Sequence, residues 1–265
     1  MGKLIVVLLD GLRLDVARRA MGFMQAQAEA LARPCIPVRA ELPSISRPIY
    51  ETLMTGVPPI RSGITGNAII RRSRHESVFD RCRQAEKVTA AAAYHWFSEL
   101  YNQAPFQPGD RLTDDPDAAI QHGVFYWNDS YPDDHLFADA EALRCRHAPD
   151  FLLVHSMGID NAGHRHGGAS TAYRTAARRA DGLLALYLPA WLEAGYGVVV
   201  TSDHGMGEDG MHGGSDADET DVPFWLFGIG HAPAHVTLRQ TEIAGTLCAL
   251  LGVSTAGMDV NQALL

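Results

Sequence analysis

The chain has few cysteines and no long apolar run. Its 265 residues include four cysteines, none close to another in the sequence: Cys35, Cys82, Cys145 and Cys248. This spacing argues against a disulfide framework and a cysteine-based metal finger, so we expect free thiols in a reducing compartment. No segment approaches the length that crosses a bilayer, and no signal peptide precedes the apolar residues 4–9. These absences predict a cytoplasmic protein that does not associate with membranes.

The chain also lacks an excess of positive charge. It has 31 acidic and 22 basic residues, which gives a formal net charge of −9. Because an acidic surface repels a nucleic-acid backbone, we do not expect a nucleic-acid polymer as a partner. No internal repeat or low-complexity linker interrupts the chain, and 46% of its residues are hydrophobic. These features predict a single globular domain over residues 1–265 and leave the oligomeric state open.

Apolar runs alternate with helical patterns along the chain. Strands are predicted at 4–9, 36–40, 88–94, 151–156, 197–201 and 223–227. Helices are predicted at 14–31, 46–55, 136–146, 170–194 and 241–251. This alternation predicts an α/β fold, with helices on both faces of a mostly parallel central sheet. Residues 68–135 have poorer periodicity, and we expect them to form a lid or a substrate-binding wall.

Acidic and histidine side chains follow three of the predicted strands. Open α/β sheets place their chemistry just beyond the carboxyl ends of strands. The six candidate metal ligands found there or in the following loops are Asp10, Asp160, His164, Asp203, His204 and His212. Taken singly, each aspartate could cap a helix and each histidine could be a solvated loop residue. Together they suit two divalent cations, zinc or alternatively manganese.

Ser46 stands at the start of a predicted helix that has Pro48 in its first turn. One interpretation is an N-cap serine that contributes about 1 kcal/mol to stability. The other is a nucleophile, because the helix N-terminus stabilises an anion and a nearby cation lowers the pKa of a hydroxyl. The local sequence favours the cap and does not by itself decide between the two interpretations.

Several of these segments together resemble a known family. Asp10 and the segments 43–56, 63–67, 160–164, 203–206 and 212–214 resemble the alkaline phosphatase superfamily. Their order and spacing match its nucleotide pyrophosphatase/type I phosphodiesterase branch best. The resemblance implies an alkaline phosphatase-like fold, and a hydrolase that cleaves phosphodiester or pyrophosphate bonds of a small phosphorylated molecule.

The resemblance also implies a role for each site residue. Ser46 would be the nucleophile and form a phosphoseryl intermediate. One metal ion would be held by Ser46 with Asp10, Asp203 and His204. The other would be held by Asp160, His164 and His212. Asn67 and the backbone N–H of Arg47 would bind a non-bridging phosphate oxygen, while His155 and His166 would be packed or supporting residues.

One position departs from the pattern of the branch and keeps alternatives open. Arg47 replaces an aromatic residue that lines the base pocket of nucleotide-cleaving members, and its guanidinium suits a second anionic group of the substrate. A phosphomonoesterase or a phosphonate hydrolase of the same superfamily is therefore an alternative. A sulfatase is less favoured, because Tyr50 stands where the sulfatase signature has arginine. A non-catalytic metal- or phosphate-binding protein is the alternative from a different class.

Overall fold

The computed structural model describes residues 2–233 and 235–265. Within these residues one nine-stranded sheet has the strand order β4-β5-β3-β6-β1-β7-β8-β2-β9. The strands are β1 (Lys3–Leu9), β2 (Ile36–Arg39), β3 (Thr89–Tyr94), β4 (Leu112–Asp114), β5 (His122–Tyr126), β6 (Phe151–Ser156), β7 (Tyr196–Thr201), β8 (Asp221–Phe227) and β9 (Leu238–Arg239).

Eleven helices accompany the sheet in the described residues. They are α1 (Leu14–Ala20), α2 (Gly22–Ala30), α3 (Ser46–Thr55), α4 (Pro59–Ser62), α5 (Val78–Gln84), α6 (Trp96–Tyr101), α7 (Asp133–His147), α8 (Gly158–His166), α9 (Thr171–Glu193), α10 (Ala217–Thr220) and α11 (Ile243–Leu251). No helix in this part of the chain combines the length and apolar character needed to span a membrane.

The centre of the sheet is parallel, which confirms the predicted fold class. β5, β3, β6, β1 and β7 are neighbours that run in the same direction. Three pairings are antiparallel: β4 with β5, β7 with β8, and β8 with β2. Continuous apolar strands such as β1 and β7 lie at the centre because both of their faces are buried.

Each face of the sheet carries its own core. Alternate residues of β1 point to opposite faces, so Leu4 and Val6 join one buried cluster while Ile5 and Val7 join the other. Helices α3, α5 and α11 cover the first face, and α1, α2, α7 and α9 cover the second. The prediction of helices on both faces is therefore confirmed.

Local structure differs from the sequence predictions in several places, including residues 14–31 and 68–135. The single helix predicted over 14–31 is two helices that meet at Met21, whose backbone is not helical (φ −97°, ψ 77°). The segment 68–135 contains β3, β5 and the edge strand β4, so much of it extends the sheet instead of covering a site. Its weak periodicity reflects short strands next to irregular turns. Within this segment, helix α6 and nearby aromatic side chains approach the carboxyl ends of the central strands.

Candidate active site

The predicted metal ligands meet at the carboxyl edge of the sheet. Asp10 follows β1, while Asp160 lies in α8 after β6, and Asp203 follows β7; these three strands are adjacent. Gly11 allows the close approach of two of these segments. It has a positive φ of 70°, and a Cβ atom there would lie 3.0 Å from Asp160 Oδ1. The turn after β1 therefore requires glycine both for its backbone and for space.

Ser46, Asp10, Asp203 and His204 form the more buried half of the site. The two aspartates and His204 are fully buried, and Ser46 is 3% exposed. His204 Nε2 lies 3.1 Å from Ser46 Oγ, 3.1 Å from Asp203 Oδ2 and 3.5 Å from Asp10 Oδ1. Four side chains from three distant segments thus face a common point.

Asp160, His164 and His212 form the more open half of the site. Asp160 is 3% exposed, whereas the side chain of His164 is 43% exposed. His164 Nε2 lies 3.3 Å from Asp160 Oδ2, and His212 Nε2 lies 3.2 Å from His164 Nε2. The His204 and His212 rings stack with centroids 3.7 Å apart, so the two halves of the site are contiguous.

The three imidazoles present their Nε2 atoms to this cluster because their Nδ1 atoms face backbone carbonyls. His204 Nδ1 donates to Gly205 O and His212 Nδ1 to Ser44 O, at 2.8 and 2.9 Å. The third, His164 Nδ1, donates to Gly210 O at 2.8 Å. Burial lowers the pKa of His204, and it lowers that of His212 to about 4. Both rings are therefore neutral, with a lone pair on Nε2 that is suited to a metal ion.

The carboxylates also have free oxygen atoms in the same space. Among the described residues, Asp10 Oδ1, Asp160 Oδ1 and Asp203 Oδ2 are buried without a hydrogen-bond partner. Burial, followed by repulsion from the other carboxylates, raises the pKa of Asp10. The pKa of Asp203 is raised to about 7, mainly by burial. Buried carboxylate oxygen atoms and imidazole nitrogen atoms that face one another are stabilised by a shared proton or by a bound cation between them. The residues present therefore fit divalent metal ions, although they do not identify the metal.

The position of Ser46 distinguishes between the two interpretations left open by the sequence. Helix α3 begins at Ser46, and the preceding Ile45 occupies the N-cap position without a side-chain cap. Among the described residues, the Ser46 hydroxyl makes one hydrogen-bond contact, with His204 Nε2. The cap interpretation is therefore wrong. The hydroxyl faces the ligand cluster from the positive end of a ten-residue helix.

Asn67 lies beside the nucleophile candidate, as the resemblance implied. Its Oδ1 accepts a hydrogen bond of 3.0 Å from the backbone N–H of Arg47. The Arg47 N–H is thus engaged in this structure, and the Asn67 amide group Nδ2 remains available as a donor. Their roles as phosphate-binding groups stay predictions.

The Arg47 side chain points away from solvent. It is 1% exposed, and its Nη2 forms an ion pair of 2.5 Å with the buried Glu99. The guanidinium also lies 4.6 Å from the ring centroid of Trp96. Glu99 neutralises the charge of Arg47 and Trp96 covers the guanidinium, while its Nε and Nη1 are buried without a hydrogen-bond partner among the described residues. Binding of a second anionic group by this side chain stays a prediction.

Supporting residues surround Asp10, and His155 is the one among them that the sequence indicated as a supporting residue. The hydroxyl of Tyr50 donates to Asp10 Oδ2, and His155 Nε2 lies 3.1 Å from the same oxygen atom. The Tyr126 hydroxyl lies 3.4 Å from His155 Nδ1 and donates to its backbone carbonyl. Tyr50 is one turn after Ser46 on α3, a helical spacing that offered a signal for it. His155 holds a supporting position beside Asp10, whereas His166 is exposed.

Helix α8 has a support of its own at its first turn. Ser156 Oγ donates to Asp133 Oδ1 at 2.6 Å, and a Cβ atom at Gly158 would lie 2.2 Å from Asp133 Oδ2. The carboxylate thus lies against the N-terminus of the helix that carries Asp160 and His164, where negative charge is favourable. Nothing in the local sequence indicated this contact.

The fold and site define a protein of the phosphodiesterase type, and a family comparison agrees. Residues 4–212 match the family described as type I phosphodiesterase/nucleotide pyrophosphatase. Because the match covers well over half of the chain, the protein belongs to this family. Phosphodiesterase-type phosphoryl transfer is the corresponding class of activity, which confirms the resemblance noted in the sequence.

The chain is also similar in sequence to proteins named GPI ethanolamine phosphate transferases. The chain is 25% identical over 283 residues to human GPI ethanolamine phosphate transferase 2, catalytic subunit, covering 99% of this chain and 27% of that protein. It is 31% identical over 110 residues to GPI ethanolamine phosphate transferase 3 of Schizosaccharomyces pombe, covering 39% of this chain and 12% of the relative. The chain therefore spans about a quarter or less of the length of these relatives.

A solved structure shares the whole fold. Murine ectonucleotide pyrophosphatase/phosphodiesterase 5, determined as an inactive variant in complex with AMP, superposes with a TM-score of 0.77 at 12% identity. The alignment covers 98% of each chain. The human counterpart superposes with a TM-score of 0.74 at 13% identity, over 98% of this chain and 97% of that one. At these identities the likeness establishes the fold alone.

Proposed function

We propose that this protein is a two-metal phosphodiesterase that cleaves a small phosphate diester through a covalent intermediate on Ser46. The observation that carries the proposal is the 3.1 Å approach of Ser46 Oγ to His204 Nε2. This contact occurs among three carboxylate oxygen atoms that lack hydrogen-bond partners within the described residues. The Ser46 hydroxyl thus lies against a cluster of side chains suited to cations. Family membership alone does not require this arrangement.

The proposed metal ligands divide into two sets. One set is Asp10, Asp203 and His204, together with Ser46. The other set is Asp160, His164 and His212. Bound divalent ions, zinc or alternatively manganese, supply Lewis acidity that lowers the pKa of a coordinated hydroxyl or water and offsets charge on phosphate oxygens.

The chain's own residues then direct the displacement. Ser46 Oγ loses its proton and, as the alkoxide, forms a bond to phosphorus while the opposite phosphorus–oxygen ester bond breaks; the leaving oxygen takes up a proton and departs as the alcohol. Asn67 Nδ2 donates to a non-bridging oxygen, and the N-terminus of α3 favours the negative charge there. Water then attacks the phosphoseryl ester, which releases the phosphate monoester and restores Ser46.

The names of the relatives favour an ethanolamine phosphate ester as the substrate group. The rim of the site has chemistry that suits an ammonium group. Asp129 follows β5 at the same sheet edge, and its carboxylate interacts with the hydroxyl of Tyr94. Burial and then the Asp129 carboxylate raise the pKa of the Tyr94 hydroxyl. A carboxylate beside an aromatic ring attracts a primary ammonium group through charge and cation–π interactions.

A phosphotransferase is the second candidate, because the relatives are named as transferases. The covalent intermediate would be the same, and an alcohol would replace water in the second step. A non-catalytic role is disfavoured, since every implied ligand and the hydroxyl are present and gathered. The small phosphorylated substrate and the cytoplasmic location remain predictions.

Mass spectrometry of the intact protein tests the central claim. After rapid acid quench with a phosphoethanolamine diester and zinc, we expect an adduct of one phosphoethanolamine group that maps to Ser46. Turnover of bis-p-nitrophenyl phosphate should exceed that of p-nitrophenyl phosphate. A large preference for the monoester would instead support the phosphomonoesterase alternative. Turnover that continues in the Ser46→Ala variant would contradict the covalent route.

A further inference from the structure

A second cluster of metal-binding side chains lies far from the active site. β4 and β5 pair in an antiparallel register that sets Asp114 opposite His122. Helix α7 ends nearby at His147. Because His122 begins β5, this cluster is at the amino edge of the sheet, whereas the candidate active site is at the carboxyl edge.

The ligand atoms of this cluster converge. His122 Nδ1 lies 2.8 Å from Asp114 Oδ1, and the rings of His122 and His147 stack with centroids 3.6 Å apart and planes 15° apart. One ligand atom from each of the three residues lies within 4.8 Å of the other two. Ligands of one tetrahedral zinc ion are roughly 3.4 Å apart, given bonds of about 2.1 Å. Small side-chain rotations would therefore bring all three to one ion.

The same arrangement recurs in the candidate active site. There His204 and His212 stack at 3.7 Å and 16°, and a carboxylate oxygen of Asp203 lies 3.1 Å from His204 Nε2. A stacked pair of imidazoles beside a carboxylate is thus present in both clusters, although in the candidate active site the two rings belong to different proposed ligand sets. The peripheral cluster differs in being more open to solvent, since the Asp114 side chain is 78% exposed.

The end of α7 beside this cluster has charges of both signs, since Lys3 donates to the Ala148 carbonyl just beyond the helix. The C-terminus of the 15-residue helix α7 carries partial negative charge. Arg146 opposes a cation, but its side chain is exposed and its charge is screened by solvent.

We propose that Asp114, His122 and His147 form a third, structural metal site for a zinc-class divalent cation, with water completing the coordination. The ion would fix the β4–β5 hairpin at the edge of the sheet to the C-terminal end of α7. Two imidazoles and one carboxylate are ligands that zinc accepts, and an imidazole-rich set disfavours magnesium or calcium. This inference is independent of the proposed catalytic function.

Metal counting tests the site on the intact chain. The protein is saturated with Zn²⁺, passed through a desalting column, and analysed by plasma mass spectrometry. We expect His147→Ala to bind one zinc ion fewer per chain than the parent protein. His135→Ala, which removes another exposed histidine of α7, is the matched control and should retain the parental count.

A second variant and a second measurement distinguish loss of the metal site from misfolding of the variant. Asp114→Asn changes an exposed side chain without altering its size, and we expect it to weaken the third zinc equivalent about tenfold or more in a titration. Zinc should also raise the unfolding temperature less in His147→Ala than in His135→Ala. Equal zinc counts for the parent and His147→Ala would overturn the proposal and leave only an ion pair between Asp114 and His122.

Discussion

Ser46 Oγ lies 3.1 Å from His204 Nε2, although 158 positions separate the two residues in the sequence. The contact joins the N-terminus of α3, a helix that packs on the sheet, to the turn that follows strand β7 of the same sheet. It places a hydroxyl at the positive end of a helix and against a neutral imidazole. Because the Ser46 hydroxyl contacts His204, it does not cap α3, although the helix begins at this residue.

Ser46→Ala removes the proposed nucleophile with little change in volume. We expect kcat for a phosphate diester to fall on the order of 10³-fold or more, because the covalent step has no replacement. The unfolding temperature should remain close to the parental value, since no helix cap is lost. Steady-state kinetics and thermal unfolding check both points. Ser130→Ala, an exposed loop serine, is the control and should leave kcat unchanged.

Removal of metal ions should destabilise the protein as well as inactivate it. Without a cation, the buried carboxylates of Asp10, Asp160 and Asp203 repel one another. We expect chelation to lower the unfolding temperature and zinc to restore it, because a ligand that binds only the folded state stabilises it. Scanning calorimetry with chelator and then with excess zinc measures this effect. An identical unfolding temperature in both conditions would contradict the two-metal site.

Tyr50→Phe removes the hydroxyl that donates to Asp10 Oδ2 and keeps the aromatic ring. Partners of metal ligands orient them, so we expect the affinity for one zinc ion to fall roughly 10–100-fold. Tyr101→Phe is a matched control: its buried hydroxyl donates to the Tyr50 backbone carbonyl and touches no candidate ligand. The idea fails if zinc titration shows equal losses in the two variants.

Glu51 predicts a dependence of stability on pH. Burial raises the pKa of this carboxyl from 4.5 to about 7, despite the hydrogen bond from Ser73 Oγ. Between these values the folded state holds a proton that the unfolded state has released, so stability falls as pH rises from about 4.5 through 7. Relative to low pH, the loss is roughly 3 kcal/mol at pH 8, because each pKa unit corresponds to about 1.4 kcal/mol.

The variant Glu51→Gln should lack this contribution. Its free energy of unfolding should decline less between pH 5 and 8 than that of the parent, in urea denaturation at both values. Glu86→Gln alters an exposed glutamate and serves as the control, with a parental decline. Parallel curves for parent and Glu51→Gln would show that this carboxyl does not titrate in the range.

Asp129→Asn tests recognition of an ammonium group. We expect KM for a phosphoethanolamine diester to rise about tenfold, because one charge interaction of roughly 1.4 kcal/mol is lost. KM for bis-p-nitrophenyl phosphate, which has no cation, should stay unchanged. Asp134→Asn, an exposed acid of the same region, is the control. A similar rise in KM for both substrates would assign Asp129 a general role and remove it from substrate selection.

The candidate ligands could be located from the sequence because they have local markers. Asp10 and Asp203 follow continuous apolar strands, and Asp160 and His164 share one helix face at a four-residue spacing. Arg47 illustrates the limit. Its neighbour in the chain is the candidate nucleophile, which suggested a substrate contact, yet its guanidinium pairs with Glu99, fifty-two positions away.

The sequence by itself determined the parallel core and the strand ends that carry the ligands, because apolar runs and the polar residues after them are local features. Only the tertiary structure decided which groups support them. His155 reaches Asp10 across 145 positions, and Asp133 lies against the first turn of α8. The tertiary structure also decided that the Ser46 hydroxyl contacts His204 and does not cap its own helix. Such contacts depend on how elements pack across the sheet, and no local periodicity records that packing.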